Sequence, residues 1–306
     1  MKKEILIIAG PTGVGKTELS LNLAKSLDGE IISADSMQIY KGMDVGTAKI
    51  LPDEMQGIPH HLLDIVSPSE PFTVYDFLVQ SNQAMDEIIR RGKRPIFAGG
   101  TGLYINTLLY EMDFNKANID TAYREELWQF HRDFGTDALF AKLLEVDPDT
   151  EIEKENTKRV IRALEIYRER GKVEKFAQMP EREDISATLV ILHRDRQELY
   201  ENINRRVDKM MEQGLLDEVK AFYEQGLDER YQSMKAIGYL QVIKHFKGEY
   251  GYDEMVEKIK QETRRYAKRQ ITWFKRYKNA HWFNLSEMSK NEVQNEIVAL
   301  MRKSES

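Results

Sequence analysis

Residues Gly10, Pro11, Thr12, Gly13, Val14, Gly15, Lys16 and Thr17 follow G-x-x-x-x-G-K-T, the spacing with which a loop wraps phosphate oxygens. The glycines let backbone N–H groups turn towards an anion, Lys16 adds charge, and the Thr17 hydroxyl suits Mg2+. A second chemically loaded stretch is Asp35-Ser36-Met37-Gln38. Its carboxylate could hold Mg2+, serve as general base for an attacking group, or close an Asx turn. In Gly99-Gly100-Thr101-Gly102, Thr101 either hydrogen-bonds a substrate or caps a helix. His60 and His61 are adjacent, so their side chains diverge, and neither a cysteine nor a histidine at ligand spacing accompanies them. They read as loop residues used for contact or packing.

The elements that must position these groups follow from patterning. Ile5-Leu6-Ile7-Ile8-Ala9 is a continuous apolar run, as in a central parallel strand covered on both faces. The next helix carries Leu19, Leu23, Ala24 and Leu27 on one face, with Gly29 as its stop. Residues 30–35 read as a second strand, Thr73 caps a helix with Asp76 three residues on, and residues 94–98 form a further strand. Gly42 to Lys49 read as a shaped loop leading into a helix. This alternation predicts an α/β fold, a P-loop NTPase-like parallel sheet core flanked by helices. Ligands of such sheets gather at the carboxyl ends of the strands, so the three loaded stretches are expected to share one cleft.

After Met112 the pattern turns helical, over 122–134, 137–145 and 156–170 with Asn156 as N-cap. A strand returns at Thr188 to Leu192, and helices are expected from there to the end. The predicted organisation is a core begun by 1–112, an all-helical insertion at 113–183, and 184–306 completing the core with basic C-terminal helices.

The 306 residues are 41% apolar, enough for a sizeable core, and no apolar run approaches the ~20 residues that cross a bilayer. The absence of cysteine excludes disulfides and thiolate metal sites, and a cytoplasmic protein is the simplest expectation. The net charge is −6, yet Lys258 to Lys278 alone carries +8, leaving −14 elsewhere. Arg265, Arg269 and Arg276 fall on one helical stripe, beside a face of Tyr266, Gln270, Trp273 and Tyr277. Lys158, Arg159 and Arg162 make a second basic cluster at the start of an insertion helix. The asymmetry points to a polyanionic partner.

These stretches together resemble the bacterial tRNA dimethylallyltransferases, also called tRNA isopentenyltransferases. The resemblance rests on GPTGVGKTELS (10–20), ISADSMQIYKGMDVGTAK (32–49), PHHLLD (59–64), AGGTGLY (98–104) and NTKRVIRALEIY (156–167). It continues through LYENINRRVDKMMEQGLLDEV (199–219), MKAIGYLQ (234–241) and TRRYAKRQITWF (263–274). It implies that residues 10–17 hold the diphosphate of dimethylallyl diphosphate, with Mg2+ at Thr17, rather than a nucleoside triphosphate. It also implies Asp35 as the base that deprotonates the exocyclic amine of the adenosine 3′ of the anticodon. Lys16 and Thr101 would join it in catalysis. Ser36, Met37, Gln38 and Thr101 would hold the reacting nucleoside. Lys158, Arg159, Val160, Ile161 and Arg162, with Arg265 and Arg269, would contact tRNA. A monomer is implied, and without the cysteine-containing module of eukaryotic relatives no zinc is expected. Some relatives carry glutamine where Lys158 stands. A small-molecule kinase, a transferase acting on free adenine nucleotides and a non-catalytic RNA-binding protein are the alternatives.

Overall fold

Ile5 to Ala9 are apolar on both sides of the pleat, and all five are buried in β1 (Lys3–Ala9). The computed structural model describes residues 2–112, 120–171, 173 and 179–304. Its other strands are β2 (Gly29–Ala34), β3 (His60–His61), β4 (Arg94–Gly99), β5 (Ile185–His193) and β6 (His281–Asn284). They form one sheet in the order β3-β2-β4-β1-β5-β6, parallel throughout.

Helices α1 (Lys16–Ser26), α2 (Val74–Arg90) and α3 (Gly102–Leu109) alternate with the early strands. Next come α4 (Thr121–Val146) and α5 (Thr157–Arg170). The remainder are α6 (Arg196–Glu212), α7 (Leu215–Glu224), α8 (Tyr239–Phe246), α9 (Tyr252–Phe274) and α10 (Lys290–Ser304).

The chain divides into two units, Met1–Leu109 with Arg182–Ser306, and Tyr110–Glu181. In the first, Leu6 and Ile8 pack in one cluster with Leu19 and Leu23 of α1, Ile203 of α6 and Ile297 of α10. Burying each such side chain contributes about 1.5–3 kcal/mol, and this fixes α1, and so the loop before it, against the sheet. Ile5 and Ile7 alternate to the opposite side, where α2 meets β2 and β4. Phe77 of α2 there stacks on Tyr104 of α3, with ring centroids 3.9 Å apart. The Thr73 cap of α2 is present as a reciprocal box: Thr73 Oγ1 accepts from Asp76 N and Asp76 Oδ2 accepts from Thr73 N.

Four sequence expectations need correction. Gly29 is no helix stop. It opens β2, where a Cβ would stand 2.8 Å from the Arg94 carbonyl oxygen, and Asp28 takes the left-handed turn instead. His60 and His61 pair with β2 as an edge strand rather than lying in a loop. A sixth strand, β6, interrupts the expected run of C-terminal helices; four residues of which only Phe283 is buried carry too short a signal to show. Finally, α9 ends at Phe274, so Arg276 and Tyr277 lie beyond the helix on which their stripe was drawn.

The second unit is closed by an antiparallel bridge between Tyr110 and Glu181. Gly135, at φ 83° and ψ 178°, breaks α4 where two helices were expected. Leu127, Leu139 and Leu143 pack on Val160, Ile161 and Leu164 of α5. Arg124 grips buried Glu165 with Nε–Oε1 and Nη2–Oε2 contacts of 2.5 and 2.8 Å, and Arg162 adds a third at 3.1 Å. Burial alone would raise the Glu165 pKa, but these two guanidinium groups hold it below the ordinary value. The expected start of the insertion, at 113, lies outside the described residues.

Candidate active site

The phosphate loop is shaped by what surrounds it. At Gly10, φ is 155° and a Cβ would stand 2.6 Å from the Leu192 carbonyl oxygen of β5, so only glycine lets the loop lie this close. Gly15 takes the left-handed conformation at the N-cap of α1. Val14 is buried in the core, while Thr12, Gly13, Gly15, Lys16 and Thr17 face a cavity of about 580 Å³. Gly10 and Pro11 contribute their carbonyl oxygens, each accepting from Lys16 Nζ at 2.9 Å. Burial, then the charge of Arg206, lowers the Lys16 pKa to about 8, against the attraction of Asp35.

Asp35, Ser36, Met37 and Gln38 line the same cavity from the end of β2. Asp35 Oδ1 accepts from Met37 N at 2.8 Å and from Gln38 N at 3.4 Å, an Asx turn that fixes the carboxylate's orientation. Its Oδ2 has no hydrogen-bond donor among the described residues. Of the two readings of Thr101, the helix start is observed, and its hydroxyl is engaged with the chain's own backbone. Its carbonyl accepts from Tyr104 N and Ile105 N as α3 begins, and its Oγ1 accepts from Ser36 N at 3.0 Å. The Tyr266 hydroxyl of α9 lines the same cavity, its pKa raised by burial and then by the charge of Asp35.

Residues 43–49 form the next wall, as successive turns and not as the start of a helix. Glu218 of α7 holds this wall, accepting from the backbone N–H groups of Asp44, Val45 and Gly46 at 2.9, 2.7 and 3.0 Å. The Tyr239 hydroxyl donates to the same carboxylate. Buried Lys49 ties Asp44 to Asp64 at 2.7 and 2.6 Å. The wall presents the Thr47 carbonyl to Arg206 Nη2 at 3.0 Å. Arg206 lines the cavity, and burial holds its pKa below the ordinary value. Sequence reading missed it, although a signal exists. Position 206 lies between Ile203 and Met210 on the buried stripe of α6, where a cation needs an anionic purpose.

From α9 come Tyr266, Arg269 and Gln270. Ile31, Ile50, Leu63, Ala98, Val207 and Met210 add apolar lining to the cavity. The site therefore offers an anion cradle, one oriented carboxylate and an apolar recess. Among the described residues no group of three His, Cys, Asp or Glu is placed to hold a metal. A hydroxyl at Thr17, with the Asp35 carboxylate lining the same cavity, still fits Mg2+, which keeps several waters and takes phosphate oxygens. His60 lines the cavity with Nδ1 on the Ile58 carbonyl, whereas His61 pairs with Glu30.

The basic residues divide. Lys158 and Arg159 are exposed in the second unit, and Arg162 is tied to Glu165. Val160 and Ile161 are at most 2% exposed in that unit's core, so their side chains offer no surface to tRNA. In the first unit Arg265 is exposed and bonds Glu262, while Arg269 lies over the Tyr266 ring at the cavity. Gln270 and Tyr277, expected on a stacking face, are buried. No described helix is long and apolar enough to cross a membrane.

Comparison with known proteins gives consistent matches. The profile of the family described as IPP transferase matches residues 38–277, and that described as isopentenyl transferase matches 3–69. A tRNA dimethylallyltransferase of Clostridioides difficile is 46% identical, with 99% of each chain covered. One from Geobacillus thermodenitrificans is also 46% identical, covering 97% of this chain and 96% of its own. The crystal structure of a tRNA isopentenylpyrophosphate transferase from Bacillus halodurans superposes with a TM-score of 0.76 at 41% identity, covering 99% and 98% of the two chains. A eukaryotic dimethylallyltransferase acting on tRNA gives a TM-score of 0.80 at 29% identity, over 98% of this chain and 78% of that one.

Proposed function

The chain belongs to the tRNA dimethylallyltransferase family of prenyltransferases, and from that premise we propose the chemistry of its site. The donor is dimethylallyl diphosphate and the acceptor is the exocyclic amine of the adenosine 3′ of the anticodon. The observation that carries this reading is that the phosphate loop and the Asp35 carboxylate open on one cavity that also has an apolar side.

Loop N–H groups, the α1 N-terminus and Lys16 receive the diphosphate, with Arg206 supplying further positive charge. The prenyl chain lies against the apolar side. Asp35, held by its Asx turn, receives an amine proton through Oδ2, while Thr101 holds Ser36 and keeps the acceptor edge in place. The amine nitrogen bonds to the allylic carbon, the carbon–oxygen bond breaks, and diphosphate leaves with the bonding pair. Thr17 would hold Mg2+ together with diphosphate oxygens, and the ion would neutralise charge on the leaving group. The target adenosine must leave its stack to reach the cavity.

The test is transfer of radiolabel from dimethylallyl diphosphate to unmodified tRNA, with Mg2+ and without ATP. Label is expected in tRNA and not in free AMP run in parallel. Label in AMP, or turnover of ATP with no transfer from the allylic donor, would sink the proposal.

A further inference from the structure

We propose that Gln270 is a positioning residue that clamps the donor loop and the acceptor loop at one fixed separation. This rests on the function proposed above. Gln270 is 6% exposed on α9, and its amide spends both ends on backbone far away in the chain. Oε1 accepts from Thr12 N at 3.0 Å, and Nε2 donates to the Gly100 carbonyl at 2.9 Å. Gly100 has no Cβ for a reason, since one would stand 2.2 Å from Nε2.

The two partners belong to different halves of the reaction. Thr12 is part of the phosphate loop. Gly100 precedes Thr101, whose Oγ1 holds Ser36 N, and Ser36 follows Asp35. A continuous path thus runs from the leaving-group cradle through one amide to the base. An acceptor is needed at one end and a donor at the other, which a carboxylate cannot supply and a shorter asparagine cannot span. Tyr266, one turn earlier on α9, lines the same cavity as Gln270. Neither end of the amide is needed to bind substrate, so its loss acts on alignment, and misplacement by ~1 Å can cost about 100-fold in rate.

The test uses the full chain in the label-transfer assay, read as the single-turnover rate with both substrates saturating and as the KM of each. Gln270→Met keeps the shape and removes both bonds. The expected result is a rate about 30- to 100-fold lower with both KM values within about threefold of wild type. Gln270→Glu keeps the acceptor for Thr12 and loses the donor. Its rate relative to wild type is expected to rise as pH falls towards about 6, as the introduced carboxyl gains a proton it can donate to Gly100. An unchanged rate in Gln270→Met, or a loss confined to KM, overturns the clamp. If Gln270→Met does not fold, a pH-independent ratio for Gln270→Glu overturns it. A wild-type chain that transferred no label to tRNA would overturn the proposed function, not the clamp alone.

Discussion

At the scale of single residues, the proposed function assigns some of the site's charge to binding and some to reaction. Asp35 lines the cavity with Oδ1 committed to the turn, so on the proposed base role Asp35→Ala should slow transfer by about 10²- to 10⁴-fold. Its affinity for tRNA should change little; filter binding beside single-turnover kinetics separates the two, and equal losses would refute the base assignment. Lys16 makes a different prediction. Its pKa, lowered from 10.5 to about 8, means that the folded chain holds fewer protons than the unfolded one between those values. Stability from this group therefore rises with pH across that window, while affinity for an anion falls. Binding of inorganic diphosphate near pH 9 should draw a proton onto Lys16. Calorimetry in buffers of different ionisation enthalpy should register that uptake, and Lys16→Met should lack it.

At the scale of elements, the wall at 43–49 depends on a carboxylate from another helix. Glu218→Ala would leave three backbone N–H groups without their acceptor, at a cost of about 1–3 kcal/mol for each that stays buried. The expected outcome is a lower melting temperature and a KM for dimethylallyl diphosphate raised about tenfold, with Glu218→Gln milder. An unaltered KM would mean that the wall has no part in seating the donor. What was legible in the sequence follows the same division. The Thr73 and Asn156 caps were readable because each bonds a residue three positions on, and the phosphate loop and β1 because glycine and lysine spacing and an unbroken apolar run are written in consecutive residues. Glu218, Arg206 and Gln270 were not, because each finds its partner from 159 to 258 residues away. The run Lys158-Arg159-Val160-Ile161-Arg162 misled for another reason. Helical periodicity sends 160, 161 and 164 inward and 158, 159 and 162 outward, so one contiguous motif holds both core and surface.

At the scale of the whole molecule, the first unit closes on itself: Arg182 N donates to the Leu109 carbonyl at 2.9 Å. Residues 110–181 can thus be replaced by a short glycine-rich linker without stretching the core. The trimmed chain should fold and bind dimethylallyl diphosphate, yet fail to modify tRNA; modification by it would show that Lys158 and Arg159 are dispensable. The sheet order bears also on how the chain is made. β1 leaves the ribosome first, but its neighbour β5 follows about 180 residues later, on the order of ten seconds or more at ordinary rates of synthesis. Throughout that interval the nascent phosphate loop has no Leu192 behind it. It would gain its anion-ready shape late, so a nascent chain halted before β5 is expected to hold diphosphate far less well than the finished one.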